Sequence, residues 1–115
     1  MRVSIKRAYE PPAESDGKRI LIDRLWPRGL TKQQVAVDLW MKDVAPSTAL
    51  RKWFGHDPDK WVELQRRYEA ELAQGTAFAA LRKEAAEGHV TLVYGAKDER
   101  HNHAVVLQRL LSGGT

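Results

Sequence analysis

Two short apolar runs, Ile20–Ile22 and Val90–Tyr94, constrain this chain more than any other feature. Each is a continuous block bounded by polar and turn residues, the pattern of a strand buried on both faces of a parallel sheet. Each also breaks abruptly into charge. The first runs on as Asp23-Arg24-Leu25-Trp26-Pro27-Arg28-Gly29, the second as Gly95-Ala96-Lys97-Asp98-Glu99-Arg100-His101-Asn102-His103. Open α/β sheets bind ligands beyond the carboxyl ends of their strands, so two strands releasing polar residues there predict one shared site. That expectation requires the two strands to be adjacent and parallel, with both clusters on one edge of the sheet.

The remaining elements follow from periodicity and capping signals. Val3–Tyr9 alternates and reads as a first strand, Glu10–Gly17 as a loop, and Lys18–Trp26 as the second strand. Thr31-Lys32-Gln33-Gln34 has the form of a capping box, and the spacing of Val37, Trp40, Met41 and Val44 predicts a helical face ended by Pro46. Ser47 caps a short helix bearing Leu50, Trp53 and Phe54. Asp57-Pro58 opens another, with Trp61, Leu64, Tyr68 and Leu72 on one face as far as Gly75. Thr76 opens a helix with Phe78, Leu81 and Ala85 inward. His89–Tyr94 is the third strand, and Val105–Leu111 belongs to a last helix with Ser112–Thr115 frayed. The expected fold is α/β: a small, mostly parallel three-stranded sheet flanked by several helices, in one domain over 1–115. Trp40, Trp53, Trp61 and Tyr68 are expected mostly in the core.

No run approaches the roughly 18–20 apolar residues of a membrane span. The N-terminus enters a strand pattern at once, without an apolar signal core. There is no cysteine among the 115 residues, which excludes disulfides and thiolate chemistry and fits a reducing, cytoplasmic setting. A formal charge of +4 biases the chain toward anionic partners, small molecule or nucleic acid, although no run of like charges marks a nucleic-acid tail. Walker, dinucleotide and serine-hydrolase motifs are absent, and the sequence points to no cofactor.

Arg24 and Arg28 stand on a turn stiffened by Pro27, where paired guanidinium donors suit a phosphate or carboxylate. The plainer reading is an ion pair with Asp23, which is placed either as a catalytic carboxylate or as the group orienting an arginine. Asp98 is placed to cap the last helix, leaving Lys97, His101 and Asn102 around its first turn. An imidazole there suits a general base, and the plainer reading is a capped turn with solvated neighbours. Arg51, Lys52 and His56 interleave with Trp53 and Phe54, as base- and phosphate-binding surfaces do, or as cations rimming a core. His101 and His103 lack the i, i+4 spacing of zincins, and a metal site from Asp98, His101 and His56 rests on residue type alone. We therefore take Asp23 and His101 as candidate acid–base groups and Arg24, Arg28, Arg51, His56, Lys97, Asp98 and Asn102 as candidate ligand contacts.

Several of these segments occur together in a recognisable order: DRLWPRG at 23–29, KDVAPS at 42–47, LRKWFGHDP at 50–58, RYEAEL at 67–72 and VTLVYGAKDERHNHAVVL at 90–107. In this the chain resembles the YeaO-like family, within the domain-of-unknown-function 488 group. The resemblance implies an α/β fold but brings no established activity. Longer relatives often carry Cys-His-Arg where this chain has Asn102-His103-Ala104. The resemblance therefore implies anion binding rather than nucleophilic catalysis. The expected function is binding, with processing as an extension, of a phosphate-bearing ligand such as a nucleotide or nucleic-acid end. The alternative is a noncatalytic accessory or stress-related module for a small acid or a protein partner.

Overall fold

The computed structural model describes residues 1–113. Strands β1 (Val3–Arg7), β2 (Lys18–Leu21), β3 (Leu39–Trp40) and β4 (Val90–Tyr94) form one parallel sheet in the order β1-β4-β2-β3. Helices α1 (Lys32–Val35), α2 (Thr48–Phe54), α3 (Trp61–Gln74), α4 (Ala77–Ala86) and α5 (His103–Gly113) connect and cover it. β4 is hydrogen-bonded on both sides, and all five of its residues are buried, as its unbroken apolar run requires. The adjacency expected of the two apolar runs holds: Ile20 lies opposite Leu92 and Leu21 opposite Val93.

The period of two divides the sheet into unlike faces. Val3, Ile20, Ile22, Val90, Leu92 and Tyr94 face α2–α5 and pack with Leu50, Phe54, Leu64, Tyr68, Leu81 and Leu107. Leu21 and Val93 face the other way, against Ala8 and Val35, with Trp26, Leu30 and Val37 at the border. On that second side Arg19 is 4% exposed and fully engaged. Its guanidinium donates to Asp16 at 2.7 Å and to the Val35 carbonyl at 2.6 Å, with a longer bond to the Ala36 carbonyl. A cation thus closes the C-terminal carbonyls of α1, where the helix dipole favours it.

Three expectations change. The helical face proposed from Val37 to Val44 does not form. The Thr31 box closes as expected, with Gln34 N–H donating to the Thr31 hydroxyl at 3.1 Å, but Ala36 turns left-handed at φ 49° after a single turn. The outer edge of β2 offers the carbonyls of Arg19 and Leu21, and the N–H groups of Asp38 and Met41 bond them at 2.8 Å each. Satisfying that edge outweighs local helical periodicity, and Leu39–Trp40 becomes a fourth strand.

The aromatic core is also smaller than expected. Of the four residues named, only Tyr68 is fully enclosed, its hydroxyl donating to the Val44 carbonyl at 2.6 Å. Trp40 is 38% exposed, set edge-on to Trp26. Trp53 and Trp61 are half-buried, and Trp53 is covered by Arg67 and Lys60, whose charges stand 4.1 and 5.1 Å from its ring centre. Finally, the helix expected to fray from Ser112 continues to Gly113, its last turn anchored by buried Leu111; Gly114 and Thr115 lie outside the described residues.

The Arg19–Asp16 pair yields the first test. Burial pushes the Asp16 carboxyl up, but the Ala13 N–H and the Lys6 and Arg19 cations outweigh it and hold it below its usual value. Its stabilisation is therefore complete above the unfolded value of about 4 and is lost as pH falls through the lower folded value. Asp16→Ala, which strands a buried guanidinium, is expected to cost about 3–5 kcal/mol at pH 7 by urea denaturation. The gap from wild type should narrow below about pH 4. An equal gap at pH 7 and in acid would show that the carboxylate charge contributes nothing.

Candidate functional site

β2 leaves the ladder once the Ile22 N–H has bonded the Val93 carbonyl at 3.1 Å, and the next side chain is Asp23. Its Oδ2 accepts the Gly95 N–H at 2.9 Å, replacing the ladder just past both strand ends. A Cβ on Gly95 would stand 3.0 Å from that oxygen, a tight contact that the Asp23 carboxylate would have to relieve by shifting. Oδ1 lies buried, 3.1 Å from His103 Nε2, without an aligned hydrogen bond. The His103 N–H points instead at the Ile22 carbonyl, 3.0 Å away. Both neighbours of Nε2 only accept hydrogen bonds, so that nitrogen carries the proton.

The turn after Asp23 is stiff, as the sequence implied: Pro27 is buried, and the Trp26 indole donates to the Leu30 carbonyl at 2.7 Å. It does not present both arginines to one place. Arg24 turns inward, donating to the carbonyls of Ala45 and Pro46 at 3.2 and 3.4 Å, so neither arginine needs Asp23 as a partner. Arg28 is exposed, and its carbonyl accepts the Tyr9 hydroxyl.

Beyond β4, Asp98 caps its own turn rather than α5. Its Oδ1 accepts the N–H groups of Arg100 and His101, and its Oδ2 lies 2.9 Å from His101 Nδ1. The Arg100 N–H, with the His101 imidazole and N–H, holds the Asp98 carboxyl below its usual value. A carboxylate can only accept, so Nδ1 carries a proton and Nε2 is left as the free ring position. The cap of α5 is Asn102, whose Oδ1 accepts the Val105 N–H at 3.1 Å while its Nδ2 donates to the Asp98 carbonyl. Buried and doubly bonded, Asn102 shapes the wall.

A cavity of about 530 Å³ opens between these segments. Asp23, Arg24 and Leu25 line it from the β2 exit, Arg51, Lys52, Phe54 and His56 from α2 and its end, and His101, Asn102 and His103 from the start of α5. Ser47 caps α2, accepting the Leu50 N–H, and the helix ends with Gly55 and His56 both left-handed, at φ 54° and 58°. His56 is not a glycine, and a positive φ there is strain at the cavity wall.

Of the residues proposed from sequence, Asp23, Arg24, Arg51, His56, His101 and Asn102 line this cavity; Arg28, Lys97 and Asp98 do not. His103 was missed as a site residue, because its place depends on the β2–β4 pairing and not on the spacing of histidines. Among the described residues no group of three or more His, Asp or Glu is arranged to hold a metal ion, and no helix is long and apolar enough to cross a membrane. Asp23→Ala is expected to lower stability by about 1–3 kcal/mol in urea denaturation, because the Gly95 N–H loses its acceptor. Asp23→Asn, which keeps a carbonyl oxygen, should lose less. Equal losses would assign the effect to the charge beside His103.

The comparisons agree with one another. The chain is 44% identical to the uncharacterized protein YeaO of Escherichia coli K12, over 93% of this chain and 94% of that protein. It is 43% identical to uncharacterized proteins of Mycobacterium tuberculosis H37Rv and Mycobacterium bovis, over 97% of this chain and 95% of each. No solved structure matches it. The family model described as the inactive DUF488-N3 subclade matches residues 2–114. By that match and these identities, the chain belongs to the inactive DUF488-N3 subclade, as a YeaO-like protein.

Proposed function

We propose that this protein binds a phosphate-bearing ligand, a nucleotide or a nucleic-acid end, in the cavity at the strand ends, within the cytoplasm. One observation carries the reading: Arg24, Arg51 and Lys52, with three imidazoles, surround a cavity whose lone carboxylate, Asp23, is turned to Gly95 and His103. Cations brought from separate elements into one concave site suit an anion with several acceptor oxygens. The term inactive in the matched family's description, together with the missing thiol, supports binding without covalent chemistry.

The second reading, acid–base processing, rests on the Asp98–His101 pair. A carboxylate fixing one ring nitrogen leaves the other free to move a proton, with Asp23 as a carboxylate on the same wall. Turnover on a panel of phosphate esters separates the two readings. Saturable binding without product fits the first, and product formation lost in His101→Gln fits the second.

The binding site itself is tested by calorimetric titration of phosphate-bearing ligands at low and moderate salt. Arg51→Ala should weaken binding by about 1.5–3 kcal/mol, the range of hydrogen bonds to charged groups. Arg28→Ala and Arg82→Ala, outside the cavity, should change little. Affinity should fall with salt, since exposed charges are screened within about 8–10 Å. Equal affinities across all three variants would make the cavity cations structural. A small carboxylate or a protein competing equally well would favour the accessory-module alternative.

A further inference from the structure

The cavity is two-sided in chemistry. Leu25 supplies exposed apolar surface, with Pro46, Phe54 and Leu64 lining the wall as buried residues, while the cations stand on α2 and at the exit of β2. Leu25 is the informative member. It is 64% exposed at a cavity wall, taking no part in either core cluster, although its neighbours in the same turn are tied down. An unpacked leucine on the cavity wall gives a ligand an apolar surface to cover. The cations arrive from two elements, Arg24 after β2 and Arg51 and Lys52 on α2, and the rings of His101 and His103 stand across from them at the start of α5. Two guanidiniums and an ammonium match a terminal phosphate, which exposes three free oxygens and carries nearly two charges at neutral pH. An internal diester has two free oxygens and one charge. It must also continue as a strand in both directions, whereas about 530 Å³ is the volume of a small-molecule site.

Resting on the function proposed above, we infer that the occupant is a free phosphate monoester with a ring-bearing organic body, of nucleoside monophosphate size, and not a nucleic-acid strand. The monoester lies toward Arg51, Lys52 and the imidazoles. Its ring system covers Leu25. Leu25 is then a specificity-determining residue that distinguishes a nucleotide from bare phosphate.

The test is calorimetric titration of four probes: inorganic phosphate, a nucleoside 5′-monophosphate, the parent nucleoside, and a dinucleoside monophosphate whose only phosphate is an internal diester. The mononucleotide should bind at least about tenfold more tightly than each of the others. Leu25→Ser, at an exposed position that leaves the fold intact, should remove most of that advantage over inorganic phosphate, on the order of tenfold. Its phosphate affinity should stay unchanged. Arg51→Ala should weaken phosphate and mononucleotide alike. Phosphate binding that needs Arg51, with no preference for the mononucleotide or no effect of Leu25→Ser, would overturn this inference and leave the anion site standing. A diester equal to the monoester would overturn it in favour of a strand. Failure of every phosphate probe would overturn the anion site itself and this inference with it.

Discussion

The carboxylate of Asp23 ties together three segments that form the cavity, the exits of β2 and β4 and the start of α5. One oxygen extends the sheet past its last backbone bond by accepting the Gly95 N–H; the other stands against the imidazole of His103 at the start of α5. The exits of β2 and β4 and the beginning of α5 therefore keep a fixed spacing, although the backbone between Tyr94 and His103 is irregular. Two further bonds reinforce this junction. The Arg7 guanidinium holds the Ala96 carbonyl at 2.9 Å, and the Trp40 indole holds the Asp23 carbonyl at 2.7 Å.

The sheet is covered unequally, and this asymmetry decides where the cavity lies. Helices α2–α5 share one face and build the larger core, while the opposite face is closed by α1, loops and the Asp16–Arg19 pair. The cations of α2 consequently lie on the same side as the start of α5, above the carboxyl ends of β2 and β4. Arg19 contrasts with Arg51. The first is buried and bonded to a carboxylate and backbone carbonyls, so its charge is spent on the fold; the second is exposed on the cavity wall.

The cavity wall combines anchored and exposed polar side chains. His101 is oriented by Asp98, His103 by Ile22 and Asp23, and Arg24 by two carbonyls, so ordering these groups around a ligand costs little. Arg51 and Lys52 sit at the exposed rim and must be ordered on binding. Such a division favours orientation at the floor and electrostatic attraction at the entrance.

The sequence by itself determined the two buried strands and the polar clusters at their ends. It also determined the caps at Thr31, Ser47 and Asp57 and the helices α2–α5, because each depends on contacts within a few residues. The strand-end rule gathered nine candidate residues at a common edge, of which Asp23, Arg24, Arg51, His56, His101 and Asn102 line the cavity and Arg28, Lys97 and Asp98 do not. Only the tertiary structure decided the fate of Val37–Val44, where the open edge of β2 claimed two N–H groups and made a strand of a helical pattern. Only it turned Arg24 inward and Arg28 outward, left Trp40 exposed, and gave the α5 cap to Asn102 rather than Asp98. His103 entered the site by the same route. Its neighbours Ile22 and Asp23 are some eighty positions earlier in the chain, and nothing short of the parallel pairing of β2 with β4 brings them within hydrogen-bonding distance.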